Sequence, residues 1–229
     1  MGIVWFLCSG ICHQMADHSL HFQGQALPLC ARCTGLFVAF ALSMLWYRLA
    51  GRSRHGGMPR GGALATSALL LAVWALDGAN SLGHMLSGGG WLYAPSNALR
   101  LITGLAAGVA LATFFWPVMQ WSLWADADDE PATRSLTDLL GPLGVVCLTG
   151  ALMWFLPLAP YALWLVVAFG SVVLTFAAAN GVLALLVLGR EGRLSHPLEA
   201  VPYWLPGVAA FALETGTVAL LRRLLLASL

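Results

Sequence analysis

Six stretches of this chain are apolar around the whole helical circumference for most of their length: residues 34–49, 62–81, 97–123, 136–156, 161–188 and 203–221. None alternates with the period of two that a half-buried strand shows, and most approach or exceed the roughly 20 residues a helix needs to cross a bilayer. In lipid every backbone N–H and C=O must be satisfied within its own segment, so the pattern predicts helices. The expected fold is all-α: a polytopic transmembrane bundle of about six spans, the fourth stopped by Pro157. Residues 3–11 are apolar too but too short to span, and lack both the positive start and the small-residue cleavage site of a signal peptide. The chain divides into an N-terminal Cys/His segment (1–33) and two three-helix membrane halves (34–123 and 124–229).

Composition sharpens this picture. Of 229 residues, 59% are hydrophobic and only 9% charged, where a soluble domain carries about 25% charged residues. So few charges cannot cover a water-facing surface, and the lipid bilayer is the partner that fits. Net charge is +1, which leaves no electrostatic footprint for nucleic acid. The acidic run Asp126, Asp128, Asp129 and Glu130 lacks the glycine and distal glutamate of a calcium loop and reads as a solvating segment.

All eleven basic residues are arginines, and their placement predicts orientation. Arg48, Arg52, Arg54 and Arg60 border the loop after the first span, Arg134 follows the third, and Arg190 and Arg193 follow the fifth. The positive-inside rule puts these loops in the cytoplasm of a cell inner (plasma) membrane and the Cys/His segment on the extracytoplasmic side. Arg32, Arg222 and Arg223 run against that assignment.

The Cys/His segment carries the chemistry. Cys30 and Cys33 form a C-x-x-C pair, able to bring two thiolates to one ion, and Cys12 with a histidine completes a tetrahedral set of three sulfurs and one nitrogen. His13, His18 and His21 are the candidate nitrogens, with Cys12, His13, Cys30 and Cys33 the ligand set and zinc the metal. Such a closed set suits a structural site better than a catalytic one. The same thiols fit disulfide exchange, with Cys12 resolving the pair, or a structural disulfide. Cys147 lies mid-span and reads as a small buried hydrophobe.

A second constellation lies on the next two spans. Asp77, Asn80, Ser81 and His84 share one helix face, as do Asn97, Arg100, Gly104 and Gly108. Ionisable groups within spans point to function. Asp77, His84 and Arg100 are therefore the catalytic candidates, with Asn80, Asn97 and Glu214 lining the pocket. Asp77 is expected to pair with Arg100, the cation at matching depth. Glu214 either reaches that pocket or bonds a neighbouring helix. Gly104 and Gly108 read as a close-packing face, and Gly88-Gly89-Gly90 as an outer loop.

The run Cys12-His13-Gln14, a spacer, then Leu27-Pro28-Leu29-Cys30-Ala31-Arg32-Cys33-Thr34-Gly35 resembles the signature of a family of uncharacterised bacterial and archaeal polytopic membrane proteins. Asp77-Gly78, Asn97-Ala98-Leu99-Arg100 and Thr103-Gly104 extend the likeness through the first half. The resemblance implies a membrane protein and no particular activity. Quinone-linked membrane thiol oxidases are similar in placing a C-x-x-C at the outer surface of a small bundle. They differ in using a second cysteine pair, which the loop at 82–96 lacks. The residues thus support a metal-dependent membrane enzyme acting on a small anionic or lipid substrate, a membrane thiol–disulfide oxidoreductase, or a non-catalytic subunit of a larger membrane complex.

Overall fold

The computed structural model describes residues 2–88 and 92–227; Gly89 and Gly90 of the triple-glycine run lie outside them. The helices are α1 (Ile3–Ser9), α2 (Ala31–Leu49), α3 (Gly61–Ser87), α4 (Asn97–Leu123), α5 (Leu136–Phe155), α6 (Tyr161–Val187) and α7 (Val201–Ala227). Five of them, α3 to α7, are long and apolar enough to cross a membrane, α7 counted with the 3-10 turn before it. The sixth apolar stretch, α2, has 19 residues with Arg32 in its first turn and Arg48 in its last. Those arginines dilute its hydropathy.

Local chemistry sets the ends. Ser96 Oγ accepts from Leu99 N at 3.2 Å and caps α4. Ser135 and Asp138 form a reciprocal capping box at the start of α5. Cys30 caps α2, its sulfur facing the Cys33 amide at 3.5 Å.

The centre of the bundle is the α2–α4 crossing, and glycine makes it possible. A Cβ on Gly104 would stand 2.2 Å from the Arg32 carbonyl oxygen, and one on Gly108 2.3 Å from that of Leu36. Across the crossing, a Cβ on Gly35 would meet Leu101 O at 2.7 Å. This is the small-residue packing that lets membrane helices approach backbone to backbone, as the Gly104–Gly108 spacing predicts. The apolar core runs on through Leu101, Val146, Val172 and Phe211, so helices of both halves share it.

Before α2 the chain forms an antiparallel hairpin, β1 (Ser19–Phe22) and β2 (Gln25–Cys30). Gln23 and Gly24 turn it with φ of 51° and 76°, the two positive angles a tight twisted hairpin turn requires. The tip is held by Gln23 N donating to Pro157 O at 2.9 Å and by Tyr161 N donating to Gln23 Oε1 at 3.3 Å. Leu20, Phe22, Leu27 and Leu29 are buried, and Phe22 stacks on Trp164 at 5.4 Å between centroids. The hairpin therefore closes one end of the bundle. Its short strands, with Pro28 inside one of them, give no clear alternating signal in the sequence.

The opposite end holds a parallel pair, β3 (His55–Gly57) and β4 (Asp128–Pro131). The acidic run does more there than solvate. Asp126 pairs with Arg54 at 3.2 Å, Asp128 with His55 at 3.0 Å, and Glu130 with Arg134.

Candidate metal centre and its polar surround

Three sulfurs meet where the hairpin joins α2: one ligand atom from each of Cys12, Cys30 and Cys33, all within 4.8 Å of one another. Each arrives for a local reason. Cys30 ends β2 and caps α2, and Cys33 stands three residues on, so both sit at the N-terminus of that helix. Cys12 is carried over them by the Cys-His-Gln turn. Gln14 takes φ 57°, and its side-chain nitrogen donates to Trp5 O at 2.8 Å and Pro28 O at 3.1 Å. The Cys30 amide then donates to Cys12 Sγ at 3.2 Å. From the far side, Arg222 of α7 donates to the carbonyl oxygens of Ser9, Cys12 and His13 at 3.0–3.1 Å.

The triad is chemically asymmetric. Hydrogen bonds from the Cys30 and Cys33 thiols pull the Cys12 thiol well below the ordinary cysteine range. The same bonds, with burial, hold Cys30 and Cys33 above it. One sulfur is thus poised as a thiolate and two as its donors, a set a thiophilic cation can take over. Cys8 lies outside the triad, and burial, with the Cys12 charge nearby, pushes its thiol up to about 12. All five cysteines are free. Cys147 is exposed on the surface of α5 rather than buried, because α5 turns that face outward toward lipid.

His13 does not join the sulfurs. Its side chain is exposed, and its backbone rather than its ring is engaged, by Arg222. His21 is exposed as well, its Nδ1 3.1 Å from Ser19 O. His18 is half-buried, and its Nε2 faces Arg100 Nη2 at 3.2 Å. Burial first, then the Arg100 charge, lowers its proton affinity. His18 is therefore a neutral imidazole accepting from Arg100. Among the described residues, three sulfurs and no histidine form the group.

The second constellation is rearranged. Asp77 is buried, at 1% exposure, but its partner is Arg32 and not Arg100. Arg32 Nε donates to Asp77 Oδ2 at 3.0 Å; its Nη2 reaches the same oxygen, the Asp77 carbonyl at 3.1 Å and Ser81 Oγ at 2.8 Å. Thr103 Oγ1 donates to Asp77 Oδ2 at 3.0 Å, and Tyr93 OH to Oδ1 at 2.7 Å. Asn80, fully buried, donates to Tyr93 O at 3.0 Å and accepts from Leu92 N at 2.9 Å. The expected Asp77–Arg100 pair fails because the α2–α4 crossing brings Arg32 between the two spans. Asp77 and Asn80 form a satisfied hub tying α2, α3, α4 and the loop between α3 and α4.

Arg100 instead donates to Asn97 Oδ1 at 2.9 Å and to His18, while Asn97 Nδ2 donates to Asp17 O at 2.8 Å. Arg100 is 7% exposed, and among the described residues no carboxylate lies within 4.0 Å of it. It stands within electrostatic range of Cys30. His84 Nδ1 is buried without a hydrogen-bond partner among the described residues. Glu214 takes the second course open to it: it accepts from Asn180 on α6 at 3.3 Å, at the middle of an exposed face of α7.

Three contributors escape a reading by motif. Tyr93 sits in a loop with no pattern around it. Arg222 stands out only as a topological anomaly, and its role is explained by the carbonyls it holds. Arg32 is visible as a charge inside the C-x-x-C, and that position is the signal that could have found it.

The architecture is that of a polytopic helical membrane protein with a thiol triad plugged into one end by a hairpin. The chain belongs to the DUF2085 family of predicted membrane proteins, whose model matches residues 12–114, from the first triad cysteine to the middle of α4. An uncharacterized protein of Methanothermobacter thermautotrophicus is 32% identical over 104 residues, 44% of this chain and 81% of the relative. An uncharacterized protein of Methanocaldococcus jannaschii is 28% identical over 108 residues; the match covers 47% of this chain and 63% of that relative. No solved structure matches.

Proposed function

We propose that the protein is a metal-dependent membrane enzyme whose Cys12, Cys30 and Cys33 hold one thiophilic divalent ion, zinc first among them, at the extracytoplasmic end of the bundle. The observation that carries this reading is the convergence of three sulfurs within 4.8 Å without a fourth protein ligand among the described residues. A closed structural zinc site has four protein ligands, whereas a catalytic one has three and keeps a position for water or substrate. The ion would supply Lewis-acid polarisation at that open position. Arg100, buried and with no carboxylate within 4.0 Å among the described residues, would orient an anionic group there. Asn97 and His18 both accept from the guanidinium and fix it. Asp77 has a different part: with all its acceptor bonds made, it positions α2 and does not move protons.

A second reading rests on the free thiols at a helix N-terminus. An oxidised Cys30–Cys33 pair, with Cys12 as the attacking thiolate, would make the site a thiol–disulfide device. Elemental analysis with thiol counting separates the two. The metal reading expects close to one zinc per chain, lost in Cys30→Ser and in Cys33→Ser and kept in His13→Ala. A metal-free wild type with two fewer titratable thiols would replace it with the redox reading.

A further inference from the structure

We infer that the end of the bundle opposite the thiol triad binds a single-chain amphiphile with a carboxylate head, a long-chain fatty acid, in the cavity between α2, α4 and α6. The site goes beyond the metal reading and does not rest on it, since none of its lining residues belongs to the triad or to the polar surround of the triad.

The cavity holds about 410 Å³, within the range of about 300–1,000 Å³ usual for small-molecule sites. Two parallel helices build its main walls. Arg32 lies against Gly104 and Leu36 against Gly108, so α2 and α4 run in the same direction at a constant offset in residue number. The same offset sets Arg48 at the depth of Gln120. Met44, Leu45 and Arg48 follow one face of α2, and Trp116, Met119 and Gln120 one face of α4. Each wall is thus apolar apart from one polar residue in the last turn of its helix. Leu45 and Leu174, at the rim, are 50% and 45% exposed on the outward surfaces of α2 and α6. A chain enters between them from the bilayer and brings its head to the Arg48 end.

Both polar residues are donors with nothing to donate to. Trp124 Nε1, which can only donate, gives its hydrogen bond to Gln120 Oε1 at 2.7 Å. That contact fixes the amide. Its nitrogen makes no hydrogen bond among the described residues, although Gln120 is only 2% exposed. An unpartnered donor in such a place is costly, and a ligand oxygen would offset the cost. The Arg48 guanidinium is exposed and lines the same cavity, with no carboxylate within 4.0 Å among the described residues. No acid among those residues lines the cavity. The acids nearest along the chain are engaged elsewhere: Glu199 accepts from Ser195 N at 2.8 Å, and Asp126 pairs with Arg54. One cation and one amide call for a head with one negative charge and two acceptor oxygens, which is a carboxylate. A terminal phosphate brings about two charges and three oxygens, more than these donors match.

The test is fluorescence quenching in vesicles. Full-length protein is reconstituted in phosphatidylcholine at alkaline pH and titrated with dibromostearic acid, with the brominated alcohol of the same chain, and with a lysophosphatidic acid carrying that chain. The cavity signal is isolated as the difference between wild type and Trp204→Phe. The fatty acid is expected to quench it at about tenfold lower mole fraction than the alcohol, and more strongly than the lysophosphatidic acid. Arg48→Gln, at an exposed position that leaves the fold intact, should bring the acid to the level of the alcohol. Gln120→Leu should weaken quenching by the acid and not by the alcohol. Arg60→Gln removes an exposed arginine at the same end that does not line this cavity, and should leave the preference unchanged. Ala41→Phe, which narrows the cavity, should weaken quenching by all three. Equal quenching by acid and alcohol, a preference unchanged in Arg48→Gln, or one lost equally in Arg60→Gln overturns the inference. Stronger quenching by the lysophosphatidic acid overturns the carboxylate assignment.

Discussion

The two ends of the bundle contain similar charged residues in opposite settings. At the hairpin end, Asp77 and Arg32 are 1% and 18% exposed and share one hydrogen-bond hub with Ser81, Thr103 and Tyr93. At the other end, Arg54 with Asp126 and Arg134 with Glu130 are paired in the open, with side chains 34% to 68% exposed. Water reaches the second set whether or not the pairs form, except at Arg54 Nη1, which is buried where the guanidinium lies over Trp124 at 3.9 Å. The first set has exchanged water for protein, so each member depends on the others. A buried hub of this kind costs stability to assemble and fixes geometry in return. What it fixes is the start of α2, and with it Cys30 and Cys33.

The largest expected effect comes from breaking that hub on one side only. Arg32→Gln or Asp77→Asn should each cost about 3–5 kcal/mol, because the partner is left buried and unpaired. The double variant should lose clearly less than the sum, as thermal or denaturant unfolding in detergent will show. Additive losses would mean that the two residues act independently.

Next is the helix crossing beneath it. Gly104→Ala places a methyl group 2.2 Å from the Arg32 carbonyl oxygen. Overpacking of this kind costs about 1–3 kcal/mol. Because α2 carries Cys33, the shift should lower metal content along with stability, and both can be read on one preparation.

A smaller effect is expected from Arg222→Gln. The variant loses the three carbonyl contacts that hold the Cys12 turn. Metal affinity should fall about tenfold, the scale typical of groups that orient ligands, as measured by competition with a chromophoric chelator. Unchanged affinity would show that Gln14 alone sets the turn.

At the opposite end the effect should be smallest. Arg134→Gln removes an exposed ion pair and should change stability by less than about 1 kcal/mol, with the difference vanishing at high salt. A loss as large as that of Arg32→Gln would erase the contrast between the two ends.

The sequence carried the helices better than the site. Apolar runs long enough for lipid appear as helices, most within three residues of their expected bounds and α3 and α7 running six residues past theirs, since hydropathy in a bilayer is a strong and local constraint. The Gly104–Gly108 spacing likewise announces a close crossing. The partner of Asp77 was not legible. Depth along the helices suggested Arg100, but the choice depends on the rotation and approach of α2, which the crossing glycines on two helices set together. The hairpin was hidden too. Two strands of four and six residues leave a weak periodic signal, and their stability comes from Trp164 and the α5–α6 connection, far along the chain. His13 stood beside Cys12 in sequence, but adjacency does not make two side chains converge: Arg222 holds the His13 carbonyl, and its side chain is exposed.

The central claim, a three-sulfur site with one open position, is tested most directly by X-ray absorption on zinc-loaded protein. The expected first shell has three sulfurs at about 2.3 Å and one light atom, oxygen or nitrogen, at about 2.0 Å, unchanged in His13→Ala. Four sulfurs, or loss of the light-atom scatterer in His13→Ala, would show a closed site and contradict the account.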